Sequence, residues 1–276
     1  METKLIVLAI FVIFAVLEAF RTGFLYKQNQ QKHDGWIDFL CGVVLIGMIQ
    51  PLVLLTSMAG LHWLWPQGFG MFAQTPIILQ ILAFIIFDDL SQYWWHRSSH
   101  KFAFLYNLHR PHHNAQYLSV RIVYRNNFFY YMMMPGLWLS GLLVYVGFGW
   151  VYAGYLLVKL AVIIAAHSDV AWDAPLYRIK WLQPLMWVVE RTISTPSTHA
   201  MHHGRHKSDG ITHYKGNYGN LLFFWDVIFG TARITRQRPQ QFGVENLPDI
   251  GIGQQLLWPL IRPVKQATKE VQPTGK

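Results

Sequence analysis

Ten of the 13 histidines in this 276-residue chain fall into a repeating pattern. His96 and His100 stand four residues apart. His109, His112 and His113 are spaced i, i+3, i+4, and His199, His202 and His203 repeat that spacing. On a helix both spacings bring the rings to one face. His167 stands alone, and His206 follows the last cluster by three. A pair at i, i+4 can offer two imidazoles to one side of a metal ion and each triplet can offer three, so the set exceeds the needs of one ion. His96, His100, His109, His112, His113, His167, His199, His202 and His203 would give each of two metals four or five nitrogens. A closed zinc site takes four ligands, and imidazole suits iron, copper and zinc alike, so spacing leaves the metal open. Imidazoles crowded together without a cation would lose solvation and repel one another once protonated. His33 and His62 have no partners in this pattern and read as ordinary core or interfacial residues. His206 reads as a hydrogen-bond donor behind the ligands or a substrate contact, and His213 as a loop residue.

The elements that must hold these clusters are apolar helices. Hydrophobic residues make up 53% of the chain and charged residues only 13%, too little polar surface for an ordinary soluble domain. No Asp, Glu, Lys or Arg lies between Asp38 and Asp88, and none between Arg125 and Lys159. The first tract breaks near Pro66-Gln67-Gly68-Phe69-Gly70 and the second near Gly147-Phe148-Gly149, so each predicts a helical hairpin. The reading is an all-α integral membrane protein with four to five transmembrane helices, over 5–20, 39–64, 73–95, 128–146 and 150–166. The 5–20 stretch holds Glu18 and no small-residue cleavage site, which favours an anchor over a signal peptide. A helical cap over 97–127 and 168–235 then carries the dimetal site. Residues 1–240 form one membrane catalytic domain, and 241–276 a polar C-terminal tail.

Lys and Arg concentrate in 21–33, around Arg97 to Arg125 and in the C-terminal portion, whereas the turn from Trp65 to Gln74 has none. This positive-inside distribution predicts that the histidine segments lie on the cytoplasmic face. It also accounts for the formal charge of +9 without nucleic acid, for which no recognition motif exists. Trp172, Trp181 and Trp187 among basic residues suit a headgroup-level surface or a cap core equally. Cys41, the single cysteine, excludes an intramolecular disulfide and any cysteine-based redox site, and reads as a small buried residue. Asp88 and Asp89 lie one to two turns before His96. They read either as the membrane boundary or, for Asp89, as the acceptor for the second nitrogen of a ligand imidazole. Lys159 reads as a cation snorkelling to the interface.

Three motifs together resemble the fatty acid hydroxylase and sterol desaturase superfamily over roughly Asp89 to Thr231. They are Asp89-Leu-Ser-Gln-Tyr-Trp-Trp-His96-Arg97, Leu108-His109-Arg-Pro-His112-His113 and Thr195-Pro-Ser-Thr-His199-Ala-Met-His202-His203-Gly-Arg205. Asn217-Tyr-Gly-Asn220 and Trp225-Asp226-Val-Ile-Phe-Gly-Thr231 are similar to its closing signature. The last histidine box looks most like the branch that includes alkylglycerol monooxygenase. The resemblance implies a non-haem centre of two iron ions (Fe2+/Fe3+) that hydroxylates or desaturates lipid C–H bonds with O2. Where some members carry a further histidine four residues past the lone one, this chain has Ala171, which leaves Asp169 as the nearest alternative ligand or hydrogen-bonding group.

Such chemistry needs electrons. The chain has no Gly-rich dinucleotide fingerprint, no haem-attachment motif and no cysteines for an iron–sulfur cluster, so an external donor is implied, whether cytochrome, ferredoxin or reduced pterin. A zinc membrane hydrolase is the competing enzyme, but it would need a carboxylate base and no His-Glu-x-x-His motif exists. A divalent-metal transporter would place its ionisable residues along a path at the bilayer midplane rather than at helix ends.

Overall fold

The computed structural model describes residues 2–247 and 250–262. These form helices throughout, with no strand beyond the isolated bridges Ile193 to Leu222 and Gly204 to Phe242. We label α1 Glu2–Arg21, α2 Asp34–Leu64, α3 Ile77–Ser99, α4 Ala103–His113, α5 Pro135–Leu143, α6 Gly149–His167, α7 Pro196–His203, α8 Phe224–Ile228 and α9 Ile252–Leu257. Among the described residues, three stretches are long and apolar enough to cross a membrane: α2, α3, and the run Pro135–His167 that joins α5 to α6. Only 22%, 33% and 28% of their most apolar windows are buried inside the molecule, so most of that surface needs an apolar solvent.

The joined run is not one straight rod. Gly147 sits at φ 114° in the middle of it, a left-handed conformation that only glycine adopts readily. A Cβ there would also meet the Ala73 backbone at 2.8 Å. The chain reverses at this point against the turn that follows α2. Gly70 N–H donates to the Tyr145 carbonyl at 3.0 Å and Phe72 N–H to the Val146 carbonyl at 2.8 Å. The two expected hairpin turns thus meet. From this junction α3 runs to His100 and α6 to His167, and the 19 residues of α6 rise ~28 Å at 1.5 Å each. The histidines therefore collect at the end remote from the turns.

Two parts differ from the expectation. The apolar stretch 128–146 is divided: a short helix, Phe128–Met132, precedes Pro135, whose ring starts α5 afresh because it cannot continue a preceding helix. Residues 241–247 and 250–262 do not trail off as a tail. Phe242 bridges to Gly204, Gly243 N–H donates to the His203 carbonyl at 3.1 Å, and Gln255 on α9 meets Asn114 and Arg125. The rest of the expected tail, from 263 on, lies outside the described residues.

Candidate metal centre

Local sequence explains how each histidine cluster is aimed. Thr195 caps α7: its hydroxyl accepts from Thr198 N–H, and Thr198 Oγ1 accepts from Thr195 N–H at 2.9 Å. Pro196 occupies the first turn, where its missing N–H costs nothing. Buried Asp173 accepts from Ser197 N–H at 2.9 Å. The start of α7 is fixed, and His199, His202 and His203 follow on one face.

The end of α4 is held by Arg125, which is fully buried. Its Nε donates to the Pro111 carbonyl at 2.8 Å, and its guanidinium pairs with Asp34 at 2.7 Å and Asp38 at 3.2 Å at the start of α2. Tyr117 donates to Asp38 at 2.6 Å, and Arg121 pairs with the same carboxylate. Glu18 does similar work beside α6. It accepts from Ser119, Val120 N–H and Asp169 N–H and pairs with Lys27 at 3.2 Å, so α1 pins both loops that flank the site.

The nine clustered histidines come together as two adjacent groups, His96, His100, His109, His113 and His202, and His112, His167, His199 and His203. Within each group one ring nitrogen per residue lies within 4.8 Å of all the others. All are buried except His100, which is half-buried.

Hydrogen bonding to the second nitrogens decides what the inward nitrogens carry. His96, His112, His167 and His202 each place Nδ1 on a carbonyl oxygen, of Tyr218 at 2.7 Å, Ile122 at 3.1 Å, Ile163 at 2.8 Å and Gly216 at 2.8 Å. A carbonyl can only accept, so each Nδ1 holds the proton. His109 Nδ1 donates likewise to Asn126 Oδ1 at 2.8 Å. The Nε2 atoms of these five residues therefore point lone pairs inward. His96 and His202 Nε2 are buried with no hydrogen-bond partner, and His112 and His167 Nε2 face each other at 3.4 Å with no proton between them.

Protonation does not relieve this crowding. Burial, with the neighbouring imidazoles adding to it, holds His100, His109, His112, His113, His199, His202 and His203 well below the ordinary histidine pKa. Buried, neutral, converging lone pairs are the donor set a cation needs. Two nitrogens at right angles on one ion, each about 2.1 Å from it, stand about 3 Å apart. Observed Nε2 separations include 2.9 Å for His167 and His199, 3.0 Å for His199 and His203, and 3.1 Å for His109 and His113. The residues fit a pair of metal ions.

The other expected site residues lie elsewhere. Asp89 accepts from Trp225 Nε1 at 2.8 Å and Leu222 N–H at 3.3 Å, so it ties α3 to α8 instead of orienting an imidazole; backbone carbonyls and Asn126 have that task. Asp169 is engaged by Lys27 at 3.1 Å and Arg238, and His206 by Glu245 at 2.5 Å and Gln241; neither joins a metal group. Lys159 does not snorkel. Its Nζ pairs with Asp88 Oδ2 at 2.5 Å inside the helix bundle, where Tyr155 also donates at 2.8 Å, because a partner nearby removes the need to reach water.

Several residues escaped sequence reasoning. Asp226 accepts from Tyr218 N–H at 2.8 Å, from Gly219 N–H and from Thr231, and so holds the loop whose carbonyl orients His96. It sits in the closing signature, but nothing local marks its role. Glu18 carried a usable signal, an ionisable residue in an apolar helix.

A cavity of about 110 Å³ touches both groups through His96, His109, His112 and His167 and runs between the helices past Gln92, Leu137 and Lys159. On the other side, a second of about 280 Å³ reaches His100 and His113 and is bordered by Arg205 and Lys215.

The fatty acid hydroxylase family matches residues 81–231, more than half of the chain. Human alkylglycerol monooxygenase is 29% identical over 150 residues, which are 54% of this chain and 30% of that protein. The alkylglycerol monooxygenases of Xenopus tropicalis and Danio rerio are each 26% identical over 151 residues, 52% of this chain and 28% of theirs. The chain thus covers less than a third of the length of these curated relatives. No solved structure matches it at a significant level.

Proposed function

This chain belongs to the fatty acid hydroxylase family, and from that premise we propose that it is a multi-pass membrane oxygenase that hydroxylates or desaturates a lipid C–H bond at a di-iron centre. The observation that carries the reading is the double histidine group of five and four imidazoles, five of which have hydrogen bonds that turn a lone pair inward. A bound iron pair would supply reductive activation of O2 for attack on an unactivated C–H bond. Iron as the metal rests on the family resemblance, since imidazole also suits zinc; a zinc hydrolase is disfavoured because neither group has a carboxylate among its members to serve as a hydrolytic base.

The chain's own residues set the conditions for that chemistry. Tyr218, Ile122, Ile163 and Gly216 carbonyls hold the tautomer and ring orientation of His96, His112, His167 and His202. The cavity between α3 and α6, lined largely by apolar side chains, lets a lipid chain lie against four of the nine histidines. Substrate geometry there chooses between an alcohol and an alkene.

In this reading the two hairpins span the bilayer four times, α1 adds an anchor, and the clustered Lys and Arg put the histidine end on the cytoplasmic face. Electrons then arrive from a cytoplasmic donor, a cytochrome, ferredoxin or reduced pterin, and Arg205 and Lys215 at the second cavity, where Glu245 is engaged by His206, suit an acidic or anionic one.

The test is expression in membranes under ¹⁸O2 with lipid mass spectrometry, comparing wild type with His109→Ala. Label in a lipid with wild type alone supports the oxygenase. Equal label in both, or hydrolysed lipid without label, refutes it.

A further inference from the structure

The cavity beneath the metal groups is not uniformly apolar. Asp88, Gln92 and His96 follow one another at intervals of four on α3, and all three line it. Lys159 on α6 closes the same wall. By helical rise Gln92 lies about 6 Å from His96, and Lys159 about 12 Å from His167, along their axes.

Two of these side chains have unused hydrogen-bonding capacity. Gln92 is 8% exposed, and its Oε1 is buried with no donor. An unpaired carbonyl in such surroundings is costly and needs an explanation. Lys159 has three N–H donors, and among the described residues its one hydrogen bond goes to Asp88 at 2.5 Å. An acceptor without a partner and an ammonium with spare N–H donors thus line one cavity.

We propose that Gln92 and Lys159, with Asp88 as counter-ion, bind a hydroxyl group of a neutral lipid and so fix which of its carbons lies at the metals. The hydroxyl hydrogen would be donated to Gln92 Oε1 while its oxygen accepts from Lys159 Nζ. Charge selects against acids: Lys159 and Asp88 already cancel, so a carboxylate or phosphate would bring an uncompensated charge into a low-dielectric site. Geometry sets the reach, because the oxidised carbon must lie roughly 6–12 Å from the hydroxyl if one end is held by this pair and the other lies beside the histidines. The inference rests on the oxygenase reading for the claim that the cavity is a lipid site.

The test measures binding, so that it does not depend on turnover. Purified metal-loaded protein in detergent is equilibrated with tritiated 1-hexadecanol, and 1-methoxyhexadecane and palmitate serve as competitors. The wild type should prefer the alcohol to its methyl ether by about tenfold, since only the alcohol can donate to Gln92, and should reject palmitate more strongly. Gln92→Leu should bring alcohol and ether to equal affinity. Replacing the pair together, Asp88→Leu with Lys159→Met, should weaken both while leaving the folded yield intact. Equal binding of alcohol and ether by the wild type, stronger binding of palmitate, or undiminished discrimination in Gln92→Leu would overturn the proposal. A parallel ¹⁸O2 incubation separates the two claims: selective binding without any labelled lipid sinks the oxygenase and leaves the hydroxyl site standing.

Discussion

The carbonyl oxygen of Tyr218 stands 2.7 Å from Nδ1 of His96, and 122 residues of chain separate the two. That contact fixes the tautomer of an imidazole that faces its histidine group, and Asp226 holds it in place by accepting from the N–H groups of Tyr218 and Gly219. Asp226→Ala should therefore weaken metal binding by roughly 10-fold or more although no ligand is altered. Competition with a chelator reads this directly. Unchanged affinity in a folded variant would mean that the loop does not orient His96.

As proposed metal sites, the two groups differ in how many imidazoles they can lose. His167→Ala leaves three imidazoles in the group of four, whereas His100→Ala leaves four in the group of five. Metal content by mass spectrometry should fall towards one ion per chain in His167→Ala and stay near two in His100→Ala, with looser binding. The assignment of two separate sites fails if both variants lose metal equally.

Arg125→Met should be among the most destabilising single substitutions. It leaves buried Asp34 without its cation, weakens the hold on Asp38, and removes the donor to the Pro111 carbonyl. Losing one partner of such a buried network costs about 3–5 kcal/mol. Thermal melting in detergent should show a large drop; a melting temperature within a degree or two of wild type is the contrary result.

Gly147→Ala tests the junction of the two hairpin turns. The substituted residue must hold φ near 114° and place its Cβ 2.8 Å from Ala73, a strain of about 1–3 kcal/mol. Gly154→Ala, whose Cβ would meet nothing within 4 Å, is the control and should leave stability unchanged or slightly raised. If both variants melt alike, the chain reversal does not depend on Gly147.

Much of the site was legible because its signals are local. Spacings of three and four residues reveal the shared face of His109, His112 and His113 without any knowledge of what lies opposite. Charge-free tracts with a glycine or proline break likewise reveal hairpins. What could not be read is pairing across distance. Lys159 and Asp88 are 71 residues apart, and each alone looks like a boundary residue. Asn126 and the carbonyls of Ile122 and Gly216 act through position in loops, which composition does not encode. Asp89 was read by its nearness to His96 in sequence, but its side chain faces Trp225. The division of 128–146 follows from Pro135, a local signal that a hydropathy window averages over, whereas the return of 241–247 and 250–262 depends on contacts with His203, Asn114 and Arg125, to which such a window is blind.

In the proposed function, nine histidines hold two iron ions per chain. Protein purified from cells grown on ⁵⁷Fe, quantified for metal and examined by Mössbauer spectroscopy, tests it most directly. The account predicts close to two irons per chain, with the spectrum of an interacting pair in nitrogen-rich coordination, lost in His112→Ala. About one zinc per chain with no iron would contradict it.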